Sequence, residues 1–273
     1  MTVEKFFDLL LDELRENPGL RGYYKFLNDS SQANFNFRKQ YFTQRLEYIH
    51  KNVTKENAAI WDCGCGYGTT AIFLALNGHT VYGNTVEFYF DQIPLRLNYW
   101  RKFGDISALT LDYKNHFDIT AQDEYDYVIA QDTLHHLEPI NKALQIVNKA
   151  LKPSGKLIAI EENGTSIFNR LRNYMIRGNK RIIELYDEKQ KRTFLLGNEN
   201  TRPFDKWKGL LNKEGLKIEE NSVKYVRLFL PPFYKFISVK KINSIEEKLW
   251  KQNSFLKRYF YFGTNFIAEK RQL

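Results

Sequence analysis

The sequence predicts an α/β fold built on a parallel sheet, and three observations carry the prediction. From residue 58 onward, short apolar runs alternate with amphipathic helical stretches, the pattern of strand–helix–strand units. A glycine-rich turn, Asp62-Cys63-Gly64-Cys65-Gly66-Tyr67-Gly68, joins the first apolar run to a helical one. The length, 273 residues, suffices for one such domain with a large core and additions around it.

Ahead of the alternation, residues 3–16 read as an amphipathic helix with Val3, Phe6, Phe7, Leu10 and Leu14 on one stripe, ended by Asn17-Pro18-Gly19. A second helix is expected over 36–51, with Phe37, Tyr41, Phe42, Leu46 and Ile49 apolar. The first strand, at 58–61, runs into the glycine turn, whose bare N–H groups and helix start can sit against a ligand. A helix over 71–76 stops at Asn77-Gly78, and the second strand covers 80–86. A helix over 90–103 leads to a third strand at 108–111 that ends in Asp112-Tyr113. The fourth strand, 125–130, closes in Gln131-Asp132-Thr133-Leu134-His135-His136-Leu137. Pro139 starts the next helix, Lys152-Pro153-Ser154-Gly155 turns the chain, and the fifth strand follows at 156–160. After an insertion at 164–200, Thr201 caps a helix with Pro203 in its first turn, and Gly215 ends it. A sixth strand within 218–230, a helical stretch at 242–250 and a last strand at 262–269 complete the chain.

Composition narrows the function classes. No stretch approaches the roughly 20 apolar residues that span a bilayer, and Glu4, Asp8 and Asp12 rule out a signal peptide at the N-terminus. The two cysteines, Cys63 and Cys65, both lie in the glycine turn, too close for a disulfide and too few for a metal site. A reducing, cytoplasmic setting is expected. The net charge of +9 is uneven: residues 1–163 hold 17 basic against 21 acidic side chains, and residues 164–273 hold 24 against 11. A basic, aromatic C-terminal part can face an anionic substrate, a membrane surface or nucleic acid, or be a solvated lysine-rich face.

A dinucleotide-binding turn would need its third glycine at position 69, where Thr69 stands; an NAD-dependent oxidoreductase is therefore disfavoured. The spacing here, an acid followed by G-x-G-x-G between strand and helix, resembles the first motif of the class I S-adenosylmethionine methyltransferases. Tyr125-Asp126-Tyr127-Val128, then Leu134-His135-His136-Leu137, and the turn at 152–155 are similar to the small-molecule members. The resemblance covers residues 55–163 well and implies a seven-stranded Rossmann-like sheet, mostly parallel, with the last strand antiparallel. It further implies one domain: a helical N-terminal cap (1–54), a cofactor-binding core (55–163), a helical lid inserted after the fifth strand (164–200), and C-terminal helices with the last two strands (201–273).

The same resemblance implies S-adenosyl-L-methionine as cofactor, S-adenosyl-L-homocysteine as product, and a small-molecule acceptor. Gly64, Cys65, Gly66 and Gly68 would carry the methionine half, Asp62 its amino-acid head, and Gln131 would lie beside the cofactor. The ribose acid of the family falls on Thr85, which is not acidic; Glu87 is the nearest carboxylate, and Thr85 would contribute through its backbone. Asp112 would accept from the adenine amino group, as an acceptor-only carboxylate can, with Tyr113 as an adjacent ring.

Methyl transfer to oxygen benefits from a base that titrates near neutrality, and His135 and His136 stand just after the fourth strand. Of two adjacent residues one points inward, and His136 is the preferred base. A metal-dependent route would need Asp132, Glu161, Glu162 and Asn163 to converge; Gln131 stands where its first ligand belongs, so no metal is expected. The Asn/Asp-Pro-Pro-Tyr motif of exocyclic-amine methylation is absent after the fourth strand, no cysteine is placed for cytosine-C5 chemistry, and no nucleic-acid module accompanies the basic charge. Alternatives are an RNA or protein methyltransferase docking through the basic C-terminal part, and a non-catalytic cofactor-binding protein. The basic and aromatic segments suggest an amphiphilic or phosphorylated acceptor and a peripheral membrane contact.

Overall fold

Alternate residues of the central strands feed two different cores. Ile60, Ile129, Ile158 and Ile267 pack into one, while Trp61, Val128, Leu157, Phe266 and Ala268 pack into the other. A strand buried on both faces needs a helical layer on each side, and the chain supplies both. The computed structural model describes residues 1–28, 31–86 and 88–271, the side chains of Phe88 and Tyr89 apart.

The strands β1 (Ala59–Cys63), β2 (Thr80–Thr85), β3 (Leu109–Tyr113), β4 (Tyr125–Gln131) and β5 (Leu151–Glu162) are mutually parallel in the spatial order β3-β2-β1-β4-β5. Two further strands, β6 (Ile182–Asp187) and β7 (Arg192–Gly197), form a separate antiparallel hairpin. The short strands β8 (Leu216–Ile218) and β9 (Lys224–Val226) both pair with β10 (Gly263–Lys270), which runs antiparallel to β5. The sheet thus holds eight strands, not the seven expected, because the sixth strand is cut in two. A polar turn at Glu220–Ser222 makes the cut, and Ser222 Oγ accepts the Ile267 amide at 2.9 Å where a strand carbonyl would have stood.

One core layer is built from α1 (Val3–Glu16), α3 (Gln32–Asn52), α4 (Thr69–Ala75) and α5 (Ile93–Trp100), with α2 (Pro18–Tyr24) between the first two. The other layer comes from α6 (Ile140–Ala150) and α8 (Phe204–Lys213). Helix α2 was not expected. Asn17 ends α1, but its side chain also accepts the Leu20 amide at 3.1 Å, and Pro18 fills the first helical position; one stop signal serves as the next start. The expected helix at 90–103 begins as a tight turn over Phe88–Gln92 and is helical only from Ile93. The insertion at 164–200 is not wholly helical: α7 (Ile167–Arg177) is followed by the β6–β7 hairpin. Helices α9 (Val239–Gln252) and α10 (Ser254–Tyr259) precede the last strand.

One buried charge network ties the N-terminal helices to the glycine turn. Arg96 on α5 is fully buried and grips Glu13 on α1 through two bonds of 2.8 and 2.7 Å. Its remaining nitrogen donates to the Tyr67 carbonyl and to Thr69 Oγ1, both at 2.7 Å, and Trp100 Nε1 donates to Glu13 at 2.9 Å.

Candidate functional site

The turn after β1 is held in a shape that only glycine tolerates at two of its corners. Gly64 and Gly68 have φ of +70° and +74°, and a Cβ on them would sit 2.5 Å from Thr133 and 2.7 Å from Leu111. The Cys65 amide donates to the Asn84 carbonyl at 2.9 Å, which pins the turn to the end of β2. A cleft of about 660 Å³ opens above it, across the C-terminal ends of β1, β2 and β4, the edge at which parallel sheets bind ligands. Its floor is main chain at Gly64 and Gly66, and its walls come from the N-terminal helices, the segment after β3, and β7. A cleft of that size with a bare-backbone floor fits a nucleoside-sized cofactor.

The expected site residues divide into two groups. Gly64, Cys65, Gly66, Thr85, Gln131 and His136 line the cleft, whereas Asp62, Gly68, Asp112, Tyr113 and His135 do not. Glu87 lies outside the described residues. Thr85 is 4% exposed at the mouth of β2. Gln131 Oε1 accepts from Thr70 Oγ1 at 3.3 Å, joining β4 to the first turn of α4. Gly68 is the residue from which α4 starts.

Asp62 sits beneath the turn, 2% exposed, facing the Ala71 amide of α4 rather than the cleft. Burial pushes its carboxyl up to about 7, with that amide pulling the other way. Asp112 is exposed on the opposite pleat of β3 from Leu111 and Tyr113, and Tyr82 hydrogen-bonds to it from β2. In a strand one residue changes the face, and that step takes Asp112 out of the cleft. Tyr113 instead donates to the Val86 carbonyl at 3.0 Å and reaches Asp187 Oδ1 at 3.1 Å, tying β3 to the hairpin. Lys114, Asn115, His116 and Phe117 line this end of the cleft in their place. His116 is buried between Cys63 Sγ (3.1 Å) and the Ala143 carbonyl (3.0 Å), and burial lowers its pKa to about 4, so it is a neutral floor residue.

The two adjacent histidines have opposite chemistry. His135 is 3% exposed and bonds Glu161 at 2.7 Å; burial opposes protonation, but the Glu161 carboxylate outweighs it and holds the imidazolium up to about 9. Glu161 also accepts the Thr133 and Leu134 amides, at 3.2 and 2.8 Å, so this pair fixes the loop after β4. His136 bonds the Gly197 carbonyl at 2.8 Å through Nδ1. A carbonyl only accepts, so Nδ1 carries the hydrogen and Nε2 is the basic nitrogen. Burial first, and then the neighbouring His135 charge, lower the pKa of His136, so the ring is neutral near pH 7.

Beside His136, Asp132 accepts from the Tyr41 hydroxyl at 2.9 Å and pairs with Arg45. Burial would raise its carboxyl, but Arg45, His135 and Arg227 hold it below the usual range. Burial pushes the Tyr41 hydroxyl up to about 12. None of the carboxylates considered for a metal route converge: Asp132 is spent on Arg45, Glu161 on His135, and Glu162 on Arg172. Among the described residues, ligand atoms of His135, His136 and Glu199 come within 4.8 Å of one another, with His135 committed to Glu161. Arg45 and Arg227 lay outside the sequence reading, since they come from α3 and the break after β9.

A model of the methyltransferase-domain family matches residues 36–219. A ubiquinone biosynthesis O-methyltransferase of Xylella fastidiosa is 28% identical over 125 residues, 44% of this chain and 48% of that protein; the chain spans about half the length of the curated relatives it matches. A putative sarcosine dimethylglycine methyltransferase from Galdieria sulphuraria superposes with a TM-score of 0.61 at 14% identity, covering 93% of this chain and 98% of that one. A 1,6-didemethyltoxoflavin-N1-methyltransferase from Burkholderia thailandensis, solved with bound 1,6-didemethyltoxoflavin and S-adenosylhomocysteine, gives 0.53 at 12% identity over 100% of this chain and 92% of that one. At such identities the structural likenesses speak for the fold.

Proposed function

The chain belongs to the methyltransferase-domain family, and on that premise we propose that it is an S-adenosylmethionine-dependent enzyme that methylates a small molecule at oxygen, with His136 as the base. The observation that carries this reading is the cleft itself: a glycine turn with main chain for its floor and a neutral imidazole in the same wall. The cofactor, when bound, supplies an electrophilic methyl group on a sulfonium. The chain's part is to hold the acceptor in line and to take its proton at His136 Nε2. Asp132 and His135 keep the loop after β4 in place while this happens. The O-methyltransferase relative favours an oxygen acceptor.

The cap contributes Tyr41 and Arg45 to the cleft, the core contributes the turn and His136, and the insertion contributes Phe194 and Leu196. This supports reading residues 1–273 as one working unit, with the insertion as a lid. Labelled S-adenosylmethionine offered with a panel of phenols and catechols tests the activity. The substitution His136→Ala is expected to reduce turnover by about 10²–10⁴-fold with S-adenosylhomocysteine binding retained; unchanged turnover removes His136 from the role of base.

A second feature favours contact with a membrane surface. Ile167, Leu171, Tyr174 and Met175, spaced as one face of α7, are 49, 58, 59 and 77% exposed, and Arg170, Lys180 and Arg181 flank them. Among the described residues no helix is long and apolar enough to cross a membrane, so the contact is peripheral. Co-sedimentation with phosphatidylglycerol vesicles, lost in a Leu171→Asp, Met175→Asp double variant, is the expected outcome; equal sedimentation of both proteins counts against it.

A further inference from the structure

The cleft carries a cation that closes no ion pair among the described residues. Arg227 lines it with its guanidinium 3.6 Å from the ring centre of Tyr41, and that of Arg45 lies 3.9 Å from the same centre. Two guanidiniums so close to one centroid cannot share a face, so the phenol is clamped between them. The two arginines are otherwise unlike. Arg45 pairs with Asp132 and donates to the Tyr41 hydroxyl at 2.9 Å. Arg227 makes no ion pair among the described residues, and its Nε is buried without a hydrogen-bond partner. Glu246, whose carboxylate lies within reach of the Arg227 charge, is spent on main chain, accepting the Leu228 and Phe229 amides at 2.8 and 3.2 Å.

The backbone that presents this side chain is itself costly. Arg227 has φ of +62°, a conformation that L-residues other than glycine avoid. It is held there by those amide bonds to Glu246 and by the Phe262 amide, which donates to the Arg227 carbonyl at 2.8 Å. A strained backbone, fixed on both sides, aims an unpaired cation at a ligand site. The charge balance around it points the same way. Arg38, Arg45, Lys114 and Arg227 line the cleft, and among the described residues Asp132 is the one carboxylate that does. A sulfonium adds a further positive charge, so the remaining ligand is the natural source of negative charge.

We propose that the methyl acceptor carries an anionic group, a carboxylate or a phosphate, bound by the guanidinium of Arg227 where it stacks on Tyr41, with the rest of the acceptor lying along the cleft towards His136. This rests on the methyltransferase reading and names its substrate class. A guanidinium fork suits either anion, as a bidentate donor. The apolar lining beside it, Phe37, Phe42 and Leu137, suits a ring or chain attached to that group.

Calorimetric titration of the protein saturated with S-adenosylhomocysteine, using benzoate, phenyl phosphate and the neutral benzamide, tests this. Benzoate or phenyl phosphate is expected to bind at least tenfold more tightly than benzamide, and which of the two prevails identifies the anion. Arg227→Gln should abolish that preference while leaving affinity for S-adenosylhomocysteine unchanged. Arg227→Lys, keeping the charge without the fork, should retain part of it. Equal binding of benzamide and the anions, no binding of either anion, or anion binding unaltered in Arg227→Gln would each overturn the proposal. Wild-type discrimination decides the matter even if Arg227→Gln does not fold. Failure of S-adenosylhomocysteine itself to bind is the separate signature of a wrong methyltransferase reading.

Discussion

Two arginine sites flank the cleft, one buried around Arg96 and one half-buried around Arg45 and Arg227, and they are built on opposite plans. Under the glycine turn, Arg96 satisfies every donor it aims inward: two on Glu13, the rest on Tyr67 and Thr69. Across the cleft, Arg45 is paired but Arg227 is left open above Tyr41. Folding alone accounts for the first, because a buried charge is tolerable once paired and fully hydrogen-bonded. It does not account for the second, whose guanidinium stacks on Tyr41 and acts on Asp132 without closing an ion pair among the described residues. The closed cluster holds the site's shape, and the open one is available to a ligand. The adjacent histidines repeat the contrast, His135 closed on Glu161 and His136 with a basic nitrogen left over.

Breaking the closed cluster should cost the most. Glu13→Gln leaves Arg96 buried without its carboxylate, and a loss of roughly 3–5 kcal/mol is expected; urea unfolding measures it, and a loss below about 1 kcal/mol would mean that the network is dispensable. The His135–Glu161 pair should show itself through pH. Its imidazolium is held at about 9, above the ordinary 6.5, so its stabilisation is complete below pH 6.5 and is lost as pH rises through 9. Melting temperature should fall across that window in the wild type and stay flatter in Glu161→Gln. His136 shifts the other way, so turnover should be level above pH 6.5 and fall only below it, as Nε2 takes up a proton; a rise in turnover continuing above pH 7 would point to another base. The smallest effect belongs to the open cluster. Arg227→Gln removes a cation that closes no ion pair and should alter stability far less than Glu13→Gln in the same urea unfolding; an equal loss would mean that the open cluster is structural.

What the sequence made legible was local. The glycine turn, the strand ends at Thr85 and Gln131, and the run to His136 follow from motif and periodicity within a few residues. The Glu13–Arg96 pair joins positions 83 apart, and no local pattern announces it. Asp112 stands one step of strand alternation away from the residues that line the cleft, a step that spacing alone cannot resolve when the strand end is uncertain by one residue. The hairpin at Ile182–Gly197 was hidden because its exposed apolar residues, Ile182, Leu185 and Leu195, read equally as helix or loop. Arg227 carried no signal at all, since its left-handed backbone is imposed by Glu246 from a later helix.

The seating of the hairpin has a consequence for the base. Gly197 lies so close to the histidine loop that a Cβ there would stand 2.0 Å from the His135 carbonyl, and its own carbonyl is what confines the hydrogen of His136 to Nδ1. Were the hairpin to swing out to admit an acceptor, the imidazole would be free to adopt either tautomer, and one of the two presents an N–H to the incoming hydroxyl instead of a lone pair. What the seated β6–β7 hairpin does is fix the tautomer, leaving the lone pair of His136 on Nε2.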